Sequence, residues 1–477
     1  MDLNEISKRL FCAKRLRGVV LSKAQTLDFL QDPDFYNYGV EQDRLLISMS
    51  APMRRLQQKT QVFPLDVKAA SRNRLTHSLE VQEYSRLIAF AMVKYANKTD
   101  LKPILPAMVS CLSNAALMHD IGNPPFGHFG ESLIRDWLKK TVENRYISSE
   151  ISLVEKDDLL TFNGNAQGLR LTNTIQGLNL TLGQYASVIK VPYTVKELLL
   201  GQGKGTSGNG IQGDFFSWSY ANAGVFLSEK YLLDAIRENC NRDTRHPFAT
   251  IIEYADDLAY VLADLEDSYD RGLVDKYTIL KLCNNINEFS ELDELKEYLS
   301  VDKIEKLFNE DKTQALFYLR DVISYFYIRD LALAINSDFE TFVFTGEPDF
   351  SMGNYPGITT LKMLKDFENQ HIYNHFEVQT LDLSGASYIQ GLLGQYQKLL
   401  FESRENFEKE LYAKGGKPFN MRIASRISRR HKKTYQEFMQ SEQFSPIYLR
   451  IRLIVDYISG MTDTFAKSEY KVLNGIH

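Results

Sequence analysis

Three of the chain's eight histidines fall between residues 77 and 128, each in a setting that suits metal or acid–base chemistry. His77 sits in SRNRLTHSLEV beside Arg72 and Arg74. His119 is followed at once by Asp120 in AALMHDIGNPPFGHFGE, and His128 and Glu131 close that same stretch. An apolar helix that ends in His-Asp before Gly-Asn-Pro-Pro delivers two differently directed ligands at its terminus. Neutral imidazoles with carboxylates suit Mn, Fe, Co, Ni or Zn, and a carboxylate also suits Mg. A lone buried histidine is more often a satisfied core residue than a ligand, so the weight rests on the set.

A second chemical feature lies far downstream, in IEYADDLAYVLADLED (252–267). Asp256, Tyr260 and Asp264 recur at i, i+4 and i+8 and share one helical face. An acidic face is usually just solvated, but then it mixes its carboxylates with Lys or Arg. Here no basic residue stands between Ile252 and Asp267.

The elements that must position these groups read as helices. Residues 76–97 run without Pro or Gly, and 105–119 is nearly all apolar or small, as a buried central helix would be. Residues 249–270, 275–300, 302–312, 315–336, 388–412 and 447–466 are also helical candidates. The better strand candidates, VFPLD at 62–66 and FETFVFTG at 339–346, are short. An all-α chain with a few short strands is expected. GQGKGTSGNGIQGD (201–214) carries six glycines but no GxxxxGK[ST] pattern, and reads as a flexible surface excursion rather than a phosphate loop. A second irregular stretch, 345–358, suggests a division into 1–345 and a C-terminal helical region, 346–477, that packs back on it.

Composition narrows the classes. A net charge of −5 argues against a generally basic nucleic-acid coat, though not against a local basic groove. No apolar run approaches the ~18–20 residues of a membrane helix, and the charged N-terminus lacks a signal-peptide core. Cys12, Cys111, Cys240 and Cys283 are scattered without a CxxC pair, as in a reduced, cytoplasmic protein.

The longer wording around these residues is more specific than a bare His-Asp pair. RRLQQKTQVFP (54–64), RNRLTHSLEV (72–81), HDIGNPPFGHFGE (119–131), FNGNAQGLR (162–170), YADDLAYVLADLED (254–267) and DYISGMTDTFA (456–466) occur in that order. Together they resemble the bacterial dGTP triphosphohydrolases of the HD phosphohydrolase superfamily, over nearly the whole chain. The resemblance implies an HD-type core over 1–345 and one divalent ion held by His77, His119, Asp120 and Asp256. Asp256 is preferred to Asp257 because it keeps Tyr260 four residues later. His128 and Glu131 match the family's acid–base pair, Tyr260 and Gln61 its deoxyribose contacts, and Arg74 its phosphate-binding arginine. Asp264 falls near the sugar 3′-hydroxyl. The ligand set does not separate Mn, Mg, Fe, Co and Ni.

The implied reaction is cleavage of dGTP into deoxyguanosine and triphosphate. The rivals are a broad-specificity dNTP triphosphohydrolase, a phosphodiesterase or nucleotidase on the same metal core, and a regulatory or DNA-binding HD protein without turnover. The family commonly forms homo-hexamers, and single-stranded DNA is an effector in some relatives. The basic run RIASRISRRHKK (422–433), with Arg429 and Arg430, reads first as a solvated face. Its alternatives are a phosphate-facing lobe and a single-stranded DNA groove.

Overall fold

The computed structural model describes residues 3–17, 33–61, 72–96, 100–201 and 223–476. Asn73 fixes where α1 (Arg74–Lys94) begins. Its side chain accepts from the amides of Leu75 and Thr76, and its own N–H donates to Thr76 Oγ1 at 3.0 Å. This reciprocal cap satisfies amides that the helix leaves without partners and pins Arg74 and His77 to the first turn. Next comes α2 (Leu105–Met118), buried without a break from Cys111 to Met118, so that it ends in the dry interior at His119. α3 (Gly127–Glu143) starts after a left-handed Phe126, and α4 (Gly164–Leu169) is a single short turn capped by Asn163. α5 (Pro247–Asp270) is the long acidic helix.

These elements pack into two main apolar cores. Val81, Ile88 and Met92 of α1, Met108 and Leu112 of α2, and Ala255, Ala259 and Leu262 of α5 join α6 (Lys312–Ser337) and α7 (Pro356–Glu368) in the first. The second gathers Leu133, Ile134 and Leu138 of α3 with α8 (Phe376–Tyr396), α9 (Arg429–Ser441), α10 (Pro446–Ser459) and α11 (Asp463–Asn474). Neither core ends at residue 345. Ile358 to Ile372 belong to the first, and Phe126 to Phe162 share the second with the C-terminal helices.

The described residues form no sheet, only two isolated bridges, Arg15 with Thr181 and Thr60 with Asn73. The strand expected at 339–346 is instead a helix, Phe339–Thr345. Asp338 caps it by accepting from Thr341 N, Phe339, Phe342 and Val343 bury one face, and Gly346 ends it at φ 77°. A short apolar run fits either period, and the cap and the glycine decide it. The strand expected at 62–66 lies outside the described residues, as does 201–214 apart from Gly201. The helix expected over 447–466 breaks at Gly460, where Thr462 caps α11. No helix among the described residues is long and apolar enough to cross a membrane.

Candidate active site

Four side chains, from α1, from α5 and from the turn that follows α2, meet where α2 ends. One ligand atom each from His77, His119 and Asp120 lies within 4.8 Å of the others. Asp256 joins from α5, its Oδ1 lying 2.9 Å from His77 Nε2 and 3.5 Å from His119 Nε2. The adjacent Asp257 turns away, with Oδ2 2.7 Å from Lys365 Nζ. His119 Nδ1 lies 2.6 Å from the Ala116 carbonyl, a contact that requires the proton on Nδ1 and leaves Nε2 facing the carboxylates. His119 Nε2 and His77 Nδ1 are both buried without a hydrogen-bond partner among the described residues. Buried polar atoms are seldom left unpaired, and two imidazoles with two carboxylates are a fitting donor set for a divalent transition metal or Mg.

The electrostatics fit the same use. Burial raises Asp120, but Arg74 and His119 outweigh it and hold the carboxyl at about 2. Burial also opposes ionisation of Asp256, and the two histidines hold it well below the carboxylate range. Burial pushes His119 down, while Asp120 and Asp256 lift it to about 9. The cluster therefore keeps both carboxylates charged at the cavity.

The cluster forms the floor of a cavity of about 410 Å³, within the range of small-molecule sites. Gln61, Arg74, His77, Asp120, His128, Asp256 and Tyr260 line it. His119 stands behind that floor. Arg74 is buried, and its Nη1 donates to Asp120 Oδ2 at 2.6 Å. His128 is exposed at the start of α3. Glu131, one turn on, is buried and does not line the cavity. Its Oε2 accepts the Gly164 N–H at 2.9 Å, tying α3 to α4. Asp264 lies beneath the wall, 1% exposed, and accepts from the Tyr373 hydroxyl. Arg429 and Arg430 are exposed on α9 away from the cavity, Arg430 donating to Gln176 Oε1 at 2.7 Å.

Close backbone approach explains the glycines around His119. A Cβ on Gly122 would strike the backbone of Gly164 and Gly168, and one on Gly164 would strike the Asn123 side chain. Thus HDIGN and GNAQG interlock, which requires glycine on both faces.

Several cavity residues escape sequence reasoning. Tyr373 comes from a π-helical turn, Asn369–Tyr373, and stacks on Tyr260 with ring centroids 5.9 Å apart and planes 12° apart. Lys190 lines the wall 3.7 Å from Glu253. Asp382 lines the far side, its carboxyl raised by burial. Behind the cavity wall Lys59, 2% exposed, donates to the carbonyls of Asn123 and, at 3.3 Å, Ser459; burial, then Arg74, brings it down to about 7. Only Lys190 carries a sequence signal, a lone cation inside the apolar run VIKVPY.

Residues 74–161 match the HD domain and residues 421–472 the phosphohydrolase-associated domain. With the two-His, two-Asp cluster on α1, α5 and the turn that follows α2, they define an HD-domain phosphohydrolase. The chain is 33% identical over 487 residues to the deoxyguanosinetriphosphate triphosphohydrolase of Serratia proteamaculans, covering 91% of this chain and 93% of the relative. It is 31% identical to that of an Enterobacter species, covering 91% and 94%. To the probable deoxyguanosinetriphosphate triphosphohydrolase of Pseudomonas aeruginosa it is 33% identical, covering 92% and 93%. The chain belongs to the deoxyguanosinetriphosphate triphosphohydrolase family.

Proposed function

We infer that this chain hydrolyses dGTP to deoxyguanosine and inorganic triphosphate. The observation that carries the reading is a single cavity in which His77, Asp120 and Asp256 stand beside Arg74, His128 and Tyr260. Relatives that match over nine-tenths of the chain bear the name deoxyguanosinetriphosphate triphosphohydrolase.

His77, His119, Asp120 and Asp256 would hold one divalent ion, a set that does not separate Mn, Mg, Fe, Co and Ni. Bound there, the ion would offset phosphate charge and make a water more acidic. Arg74 and Lys190 supply positive charge to the triphosphate. In the hydrolysis a water oxygen bonds to the α-phosphorus and releases a proton to solvent, and the bond from phosphorus to the nucleoside 5′-oxygen breaks. That oxygen takes a proton from His128, while Glu131 fixes the turn of α3 from which His128 projects. The stacked rings of Tyr260 and Tyr373 give the deoxyribose a flat floor that crowds a 2′-hydroxyl. Gln61, whose Oε1 is buried without a partner among the described residues, accepts from a sugar hydroxyl, and Asp264 supports the floor through Tyr373.

Product analysis with each of the four dNTPs and GTP, plus Mg or Mn, tests this. Deoxyguanosine and intact triphosphate from dGTP alone are expected. The same cleavage of all four dNTPs would replace the substrate assignment with a broad dNTP triphosphohydrolase. No turnover under any metal would leave a regulatory protein.

A basic surface supports a second partner, single-stranded DNA. Arg54, Arg55 and Arg430 cluster with no carboxylate ion-paired to them among the described residues, and burial, then Arg54 and Arg430, lowers the Arg55 guanidinium. Replacing Arg429 and Arg430 with Ala should remove any stimulation of turnover by an oligonucleotide. Unchanged stimulation would discard this surface. A cytoplasmic homo-oligomer is the assembly proposed with it, and sedimentation would give its subunit number.

A further inference from the structure

Asp463, the first residue of α11, is 2% exposed, and its carboxylate joins two walls of the cavity. Oδ1 accepts the Phe126 N–H at 3.0 Å. Oδ2 accepts the Thr60 N–H at 2.9 Å and also the Thr60 hydroxyl. Thr60 precedes Gln61, and Phe126 stands two residues before His128. Phe126 has φ 63° and Gly127 φ 59°. A left-handed phenylalanine is an unfavoured backbone that persists only where its surroundings hold it. The Asp463 bond to its amide is one such hold. Lys59 repeats the pattern one step away, bridging the Asn123 and Ser459 carbonyls. The turn between α10 and α11 thus grips both the Gln61 wall and the His128 loop, although it lies more than 330 residues beyond them in sequence.

We propose that Asp463 is a positioning residue for the hydrolysis, setting His128 at the height from which it protonates the departing 5′-oxygen. The inference rests on the reading of His128 as proton donor. Asp463→Asn keeps the shape but turns one acceptor oxygen into a donor facing N–H groups, so at least one bond of the grip is lost. Small displacements of a catalytic group are costly, and kcat on dGTP should fall about tenfold or more. Metal stoichiometry should change little. Thr60→Val, which removes only the hydroxyl bond, should fall less.

The discriminating substrate is dGTP with sulfur in place of the bridging 5′-oxygen, because a thiolate leaves without needing a proton. His128→Ala should lose about 10²-fold or more on dGTP and far less on the thio analogue, and Asp463→Asn should show the same selective loss. If His128→Ala is selective but Asp463→Asn loses equally on both substrates, or loses nothing, Asp463 is structural and the proposal is overturned. If His128→Ala itself loses equally on both, the proton-donor reading falls and the proposal falls with it.

Discussion

Arg74 Nη1 lies 2.6 Å from Asp120 Oδ2, with both side chains buried, so the arginine that faces the cavity also neutralises a carboxylate of the two-His, two-Asp cluster. The same side chain therefore orients Asp120 and, on the proposed reading, would also offer donors to phosphate. Arg74→Ala would strip Asp120 of the cation that, against burial, holds it at about 2. The expected loss in kcat/KM is roughly 10²-fold or more. Arg74→Lys should recover only part of it, because a point charge cannot present the planar fork. Steady-state kinetics with metal analysis of each variant measures this.

Asp256 contacts both histidines, so Asp256→Asn should reduce bound metal below one equivalent and abolish turnover, with the fold retained. Elemental analysis and circular dichroism together check it. A variant that kept full metal would remove Asp256 from the ligand set.

Gly127 cannot accept a side chain at low cost. It sits at φ 59°, and a Cβ would lie 2.5 Å from Arg74 Nη2. Gly127→Ala should push Arg74 and the His128 loop apart, lowering kcat by about tenfold or more. The stability cost should stay near the ~1–3 kcal/mol of a strained backbone position. Thermal unfolding beside activity separates the two effects.

Stability should depend on pH through the buried acids beneath Tyr373. Burial raises Asp264 from 3.8 to about 8, against the bonds it accepts from Tyr373 and Tyr260 and the charge of Arg72, with Asp267 adding to the rise. Burial, then Asp264, raises Glu368 to about 10. A carboxyl whose pKa is raised on folding contributes most below its unfolded value and loses that contribution as pH climbs through the folded one. Tm should therefore fall between pH 6 and 9. Asp264→Asn keeps an acceptor for the Tyr373 hydroxyl without the buried charge, so its Tm should fall less across the same range. Parallel Tm profiles of the two proteins decide it.

The chemistry was legible in the sequence where it was local. His119–Asp120 at the end of an apolar helix, and Asp256, Tyr260 and Asp264 on one face, follow from helical periodicity and residue type alone. The buried α2 follows from the same rules, whereas the first helix, expected from 76, starts at Arg74 because Asn73 caps it. The strand expected at 339–346 failed because a short apolar run carries no decisive period, and Asp338 with Gly346 supplied the helix ends.

Sequence by itself determined the helical class and the family, and it singled out the two histidines and two aspartates that the fold brings together. Tertiary structure alone decided the rest, because it depends on contacts between residues distant in the chain. Only packing lays Tyr373 on Tyr260 and turns Glu131 to Gly164 rather than into the cavity. Only packing brings Asp463 from the last helix to hold Thr60 and Phe126. No periodicity records such pairs: each is fixed by burial, where an unmatched carboxylate or amide must find its partner wherever the fold delivers one.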